Sequence, residues 1–169
     1  MNRVSRWSVS WLFAFLLVFA SAPVFAGTNA SSSTLLDTIK QRSLQAKSLN
    51  SQQFAVGNSL HDVEAAWGPA EDLSTIAANY WTRNIRFFYD ENSPQKTITG
   101  IDDFDSQLQS IRLKQVKQKF GKPISAVEQE GNYYVTYPAN KNHNITFVFQ
   151  SKFTNNNPTL EMYTISVIQ

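Results

Sequence analysis

The chain has 169 residues, 42% hydrophobic and 13% aromatic, which suits one packed domain or two small units sharing a core and excludes a disordered chain. It has no cysteine, which excludes disulfides, thiolate nucleophiles, Cys-ligated zinc and a lipoprotein anchor. The formal charge of +2 rests on Arg3 and Arg6, in a segment expected to be removed; the 15 basic residues less these two equal the 13 acidic ones, a balance that argues against a general nucleic-acid or anionic-membrane binder.

Met1–Ala26 reads as a secretory signal peptide. Arg3 and Arg6 form its charged start, Trp11–Ala20 its apolar middle, and Val24-Phe25-Ala26 its small-residue end, so cleavage is expected after Ala26. The other reading is an uncleaved anchor, since the uncharged run Ser8–Ala26 approaches the roughly 20 residues of a spanning helix. Pro23 and the small-residue end favour cleavage. The expected product is secreted, with wall association as a variant, and has no stable membrane anchor. Residues 27–33 are small and polar and read as a disordered new terminus.

Thr34–Leu49 reads as a helix capped by Ser33 or Thr34, with Leu35, Leu36, Ile39, Ser43, Ala46 and Leu49 near one face. Gly57–Pro69 then has every part of a short helix. Ser59 can cap it, Leu60, Val63 and Trp67 make one apolar stripe, and Gly68-Pro69 ends it. After it, Leu73–Ala77 is a strand candidate. Asn79–Thr82 and Ile85–Tyr89 read as a hairpin turned at Arg83-Asn84, and Lys96–Phe104 as a strand bulged at Gly100.

The helix unit then returns: Leu113, Val116, Phe120 and Gly121 match Leu60, Val63, Trp67 and Gly68 at a constant offset. Strands follow at Ser125–Glu128, Tyr133–Tyr137, Asn144–Gln150 and Leu160–Ile168, with a turn at Glu130-Gly131-Asn132 and a loop at Thr154–Pro158. The expectation is an α+β fold of two tandem repeats, residues 34–109 and 110–169. Each repeat would place helices on one face of an antiparallel sheet.

The Leu35-Leu36 helix, the Phe54-x-Val56-Gly57 lead-in, the Asp62-Val63-x3-Trp67-Gly68-Pro69 motif and the Tyr-rich strands resemble the YjgB-like family of secreted Gram-positive proteins, over Leu35 to Ile168. That family carries a domain of unknown function, so the resemblance implies no catalytic residues. The repeat also looks like the β-lactamase inhibitor protein fold and the small lipoprotein of the outer-membrane assembly machine. Those resemblances imply a protein-binding, non-enzymatic role by fold analogy alone.

Few residues carry candidate chemistry. His61 and Asp62 are adjacent on a helix, where side chains point about 100° apart, and His143 lies in a polar loop; both histidines read as surface residues. Asp102, Asp103 and Asp105 carry oxygen ligands for a hard cation, but Phe104 interrupts them, and a solvated strand end is the preferred reading. Glu128 and Glu130 are not positioned as an acid–base pair. Arg83, Arg86, Lys114, Lys117, Lys119 and Lys122 read as solvated, with contact to an anionic wall polymer as the alternative. Trp67 and Phe120 read as core.

The aromatics are more telling, because both parities of Ile85–Tyr89 and Tyr133–Tyr137 carry rings. One parity packs under the helices and the other faces solvent, where such rings make binding hot spots; a thicker core or edge shielding is the competing account. Tyr134 shares a face with Thr136, and Phe88 with Arg86, so these two rings are expected outside. Phe88, Tyr134, Trp81 and Tyr80 form the candidate binding face. The expected function is a secreted, non-enzymatic protein-binding module, such as a restraint on an extracellular or cell-wall hydrolase, with no cofactor and no metal. The alternatives are a wall carbohydrate- or peptide-binding protein or enzyme, and a structural envelope protein.

Overall fold

The computed structural model describes residues 31–150 and 156–168. The expected signal peptide, residues 27–30 and the first two residues of the expected Thr154–Pro158 loop lie outside the described residues. Three helices, α1 (Ser32–Leu44), α2 (Leu60–Trp67) and α3 (Leu113–Phe120), pack against one antiparallel sheet. Its strands are β1 (Asp72–Leu73), β2 (Ala77–Tyr80), β3 (Ile85–Tyr89), β4 (Ile98–Asp103), β5 (Ser125–Gln129), β6 (Asn132–Pro138), β7 (His143–Gln150) and β8 (Leu160–Val167). The fold is α+β. The two expected sheets are a single eight-stranded one, ordered β1-β2-β3-β4-β8-β7-β6-β5. β4 and β8 close the seam between the halves, paired from Gly100↔Ser166 to Asp103↔Tyr163.

The helices form where the apolar spacing places them. In α2, Ser59 Oγ accepts from the His61 N–H at 3.1 Å, and Leu60 and Val63 are fully buried. Gly68 ends it with φ 84 and ψ −178, a conformation reserved for glycine, not the left-handed helical one. In α3, Leu113 and Val116 are buried and Gly121 ends the helix with φ 82. α1 begins earlier than expected, because Ser31 is its cap and accepts from the Thr34 N–H at 3.3 Å. Residues 31–33 are therefore ordered. α1 also stops at Leu44, because Ala46 takes φ 56 and is buried. The chain beyond it is pinned by polar groups of the core: Leu49 N–H donates to Tyr163 Oη at 2.7 Å, and Asn50 N–H to Asp103 Oδ2 at 2.8 Å.

The strands shift modestly. Trp81–Arg83 is a 3-10 turn, with Asn84 left-handed after it, so β2 ends at Tyr80 and Trp81 lies in the turn. The bulged residue of β4 is Thr99, since Phe88 pairs Gly100 and Tyr89 pairs Ile98. Gly100 has a different use: a Cβ there would stand 3.4 Å from Phe88 Cδ2, so its absence lets the ring lie across β4.

The core lies between the helices and one face of the sheet. Trp67 packs on Tyr80 and Phe87, with ring centroids at 5.4 and 5.8 Å. Phe120 packs on Tyr137 and Phe147, at 5.3 and 4.9 Å. Trp67 and Phe120 are themselves half-buried and roof their triads, with Arg83 over Trp67 and Lys40 over Phe120. Tyr80 belongs to this interior: it is buried and donates from its hydroxyl to Gly68 O at 3.1 Å. Its place in the candidate binding face is thereby corrected, because its position opposite Ile85 gives it the core parity of β2.

Candidate functional site: the open face of the sheet

Among the described residues the helices cover one face only. On the other, one row of side chains runs in register across all eight strands: Asp72, Asn79, Arg86 and Asp102 in the first half, then Thr164, Thr146, Thr136 and Ser125 in the second. Strand alternation puts every member on the same side. Hydrogen bonds join most neighbours. Asn79 Nδ2 donates to Asp72 Oδ2 at 3.0 Å, and Arg86 Nε donates to Asn79 Oδ1 at 2.6 Å. Thr164 Oγ1 donates to Asp102 Oδ1 at 2.7 Å, and the hydroxyls of Thr136 and Thr146 are 3.0 Å apart. Arg86 reaches Asp102 Oδ2 at a long 3.5 Å.

Rings and apolar side chains flank this row. Met162, Val148, Tyr134 and Val127 form a second in-register row on β8, β7, β6 and β5. Phe88 stands on the other side, over Gly100. Arg86 has three rings around its guanidinium: Trp81 at 5.3 Å, Phe104 at 5.5 Å and Phe88 at 5.7 Å from the ring centroids. Such contacts hold a cation electrostatically against the ring faces. Between the rows is a groove of about 370 Å³, with Phe88, Tyr134, Val148 and Met162 as apolar walls and Asp102, Thr146 and Thr164 among its polar lining.

Phe88 and Tyr134 are therefore brought together in one groove, both partly exposed. Trp81, 44% exposed, lies at the Arg86 end of the same face, 6.0 Å from Phe104. Tyr80 points away into the core. The aspartates are not a solvated strand end. Asp102 is 4% exposed and faces the groove, while Asp103 is fully buried on the helix side. Burial pushes both carboxyls above the usual aspartate range, against the opposing pull of Thr164 and Arg86 on Asp102 and of Asn50 on Asp103. Asp105 caps the following 3-10 turn. Alternation thus separates Asp102 from Asp103 and Asp105, which share the Asn50 side-chain amide, and no group of His, Cys, Asp or Glu able to hold a metal is found among the described residues.

His61 is exposed on α2, and His143 Nδ1 lies 2.9 Å from Asn140 Oδ1, its pKa lowered by desolvation. Of Lys114, Lys117, Lys119 and Lys122, Lys119 pairs with Asp37 and Lys117 lies over Tyr133. Sequence reasoning missed Asp102, Thr164, Thr146 and Met162 as groove residues, and took Arg86 for a solvated cation. Parity within each strand was visible, but which strands lie side by side was not.

The arrangement can stack on flat or apolar groups and hydrogen-bond along one line. A model of DUF4309, a domain of unknown function, matches residues 36–166. The chain belongs to the DUF4309 family. The crystal structure of YjgB from Bacillus subtilis subsp. subtilis str. 168, also a DUF4309 family protein, is similar at a TM-score of 0.66 and 14% identity, covering 82% of this chain and 99% of that one. At that identity the likeness speaks for the fold alone. No curated protein matches the sequence. The DUF4309 match spans α1 to β8 and so includes every strand that builds the open face.

Proposed function

We propose that this DUF4309 protein is a secreted, non-enzymatic binding module that docks an extracellular or wall-associated protein on the open face of its sheet. The observation that carries this is the one-sided covering: the groove face presents Phe88, Trp81 and Tyr134 beside a polar row whose groups already bond one another. A pre-formed face of rings and pre-paired polar groups needs little reordering on binding, which favours affinity. Two further elements belong to this reading. Cleavage after Ala26 would release the chain, and the halves α2–β4 and α3–β8 would be tandem repeats, supported by their matching order of elements.

Alanine at Phe88 and Tyr134 tests the reading. Neither ring is in the core cluster, so stability should change little, while capture of a stoichiometric protein from culture supernatant or wall extract should weaken by about 2 kcal/mol or more. Unchanged capture by the folded double variant would end the proposal. One observation favours a second reading, a wall carbohydrate ligand: the rings flank a line of Thr hydroxyls. Retention on isolated wall polymer, lost in the same variant, would select it.

A further inference from the structure

The two edges of the sheet differ. β1 has 2 residues, and so short an edge offers little to pair with. β5 has 5, and no strand covers its outer side among the described residues. Alternate residues of such a strand aim their backbone N–H and C=O groups outward. Natural edges are blunted by charged side chains, above all lysine, by proline or by a bulge. β5 (Ser-Ala-Val-Glu-Gln) has no lysine or proline and a single charge, Glu128, opposite Tyr133 on the helix side, and it pairs with β6 without interruption from Ser125↔Thr136 to Gln129↔Asn132. Its Val127 side chain is 49% exposed, and Ile124, just before the strand, is 60% exposed. Val127 is also where the apolar row of the open face stops, after Met162, Val148 and Tyr134 on successive strands.

We propose that β5 pairs antiparallel with β5 of a second copy of this chain, about a twofold axis at Val127. Such an axis, normal to the sheet, keeps both open faces on one side, so only residues of like parity oppose each other. Centring on Glu128 sets two carboxylates face to face, which is destabilising. Centring on Ala126 leaves Gln129 without an opposite strand residue and sets Glu128 against Ile124. Centring on Val127 opposes Ser125 to Gln129, Ala126 to Glu128, and Val127 to itself. Every residue of the strand is then paired and no like charges meet. The apolar row continues through the two Val127 side chains into the second copy, and the two grooves share one face. This self-complementarity selects a second copy over a foreign strand, and the inference is independent of what the groove binds.

Sedimentation velocity over a concentration series, on the protein as its host matures it, tests this. The expected result is a concentration-dependent doubling of mass, with the β5 amides gaining protection from hydrogen exchange in step. Val127→Lys and Val127→Glu should each sediment as monomers, with circular dichroism unchanged, because each opposes a charge to itself. An equimolar mixture of the two should recover the doubled mass. A wild-type monomer at every concentration overturns the proposal. So does a dimer that survives both variants, or a mixture of folded variants that stays monomeric. If one variant fails to fold, the wild-type series and the other variant decide.

Discussion

Thr164 Oγ1 donates to Asp102 Oδ1 at 2.7 Å across the seam where β4 meets β8. The two residues lie at the same distance from two similar bridges. Thr97 bridges the Ser59 cap of α2 just before β4, Thr159 bridges Arg112 before α3 just before β8, and Asp102 and Thr164 each lie five positions on. Residues at the same distance from the two bridges thus meet each other at the centre of the sheet. The Asp102 carboxylate has little water to turn to there, which makes the threonine hydroxyl energetically important.

Thr164→Val keeps the side-chain shape and removes that donor. It should cost about 1–3 kcal/mol, the range for leaving a buried acceptor short of a partner, while Thr164→Ser should cost less. Urea denaturation of both variants measures this. A loss in Thr164→Val below about 0.5 kcal/mol would mean that Arg86 alone satisfies Asp102.

Asp102 also sets a pH dependence. Burial raises its pKa from the ordinary 3.8, so above that value the native state holds its proton longer than the unfolded chain does. Stability from this group is therefore full below the unfolded pKa and falls as pH rises through the native one. Asp103 acts in the same direction, by the same cause. Asp102→Asn cannot titrate, so its stability relative to wild type should shift in the variant's favour as pH rises from about 4 to about 7. Denaturation midpoints across that range check the sign, and an opposite slope would show that Arg86 and Thr164 outweigh burial.

Tyr80 and Tyr137 pack alike beneath Trp67 and Phe120, but their hydroxyls differ. The Tyr80 hydroxyl donates to Gly68 O, and the buried Tyr137 hydroxyl has no partner among the described residues. Burial pushes both phenols up to about 12. Tyr80→Phe should cost about 1 kcal/mol, whereas Tyr137→Phe should be neutral or stabilising, because it removes an unpaired polar group. Thermal melts of the pair decide; an equal loss in both would reveal a partner for Tyr137.

Trp67→Ala and Phe120→Ala should each cost about 3 kcal/mol, the low end for deleting a large ring, since both are half-buried. Each removal opens the roof of one aromatic triad. If either loses less than about 1 kcal/mol, its helix does not hold its half of the sheet.

Much of the architecture was legible in the residues. The α3 bounds follow from Leu113, Val116, Phe120 and Gly121, because a 3.6-residue stripe and a glycine stop are local signals. The outward placement of Phe88 and Tyr134 follows from Arg86 and Thr136 sharing their parity. The end of α1 was misread because Ala46 adopts a positive φ that no local pattern of an alanine announces. Tyr80 was misplaced because it was grouped with its neighbour Trp81, which lies in the 3-10 turn, whereas Tyr80 stands opposite Ile85 on the core side of β2.

The sequence by itself determined where the helices lie, most strands and the alternation of side chains within each strand, because backbone geometry repeats within a segment whatever lies beside it. Only the tertiary structure decided that β4 and β8 join the halves into one sheet, that Asp102 meets Thr164, that Trp81 and Phe104 enclose Arg86, and that Phe88 and Tyr134 share a groove. Strand order is a choice among distant partners. It is settled by burying both halves' apolar faces at once under three helices, and no periodicity within a segment encodes that choice.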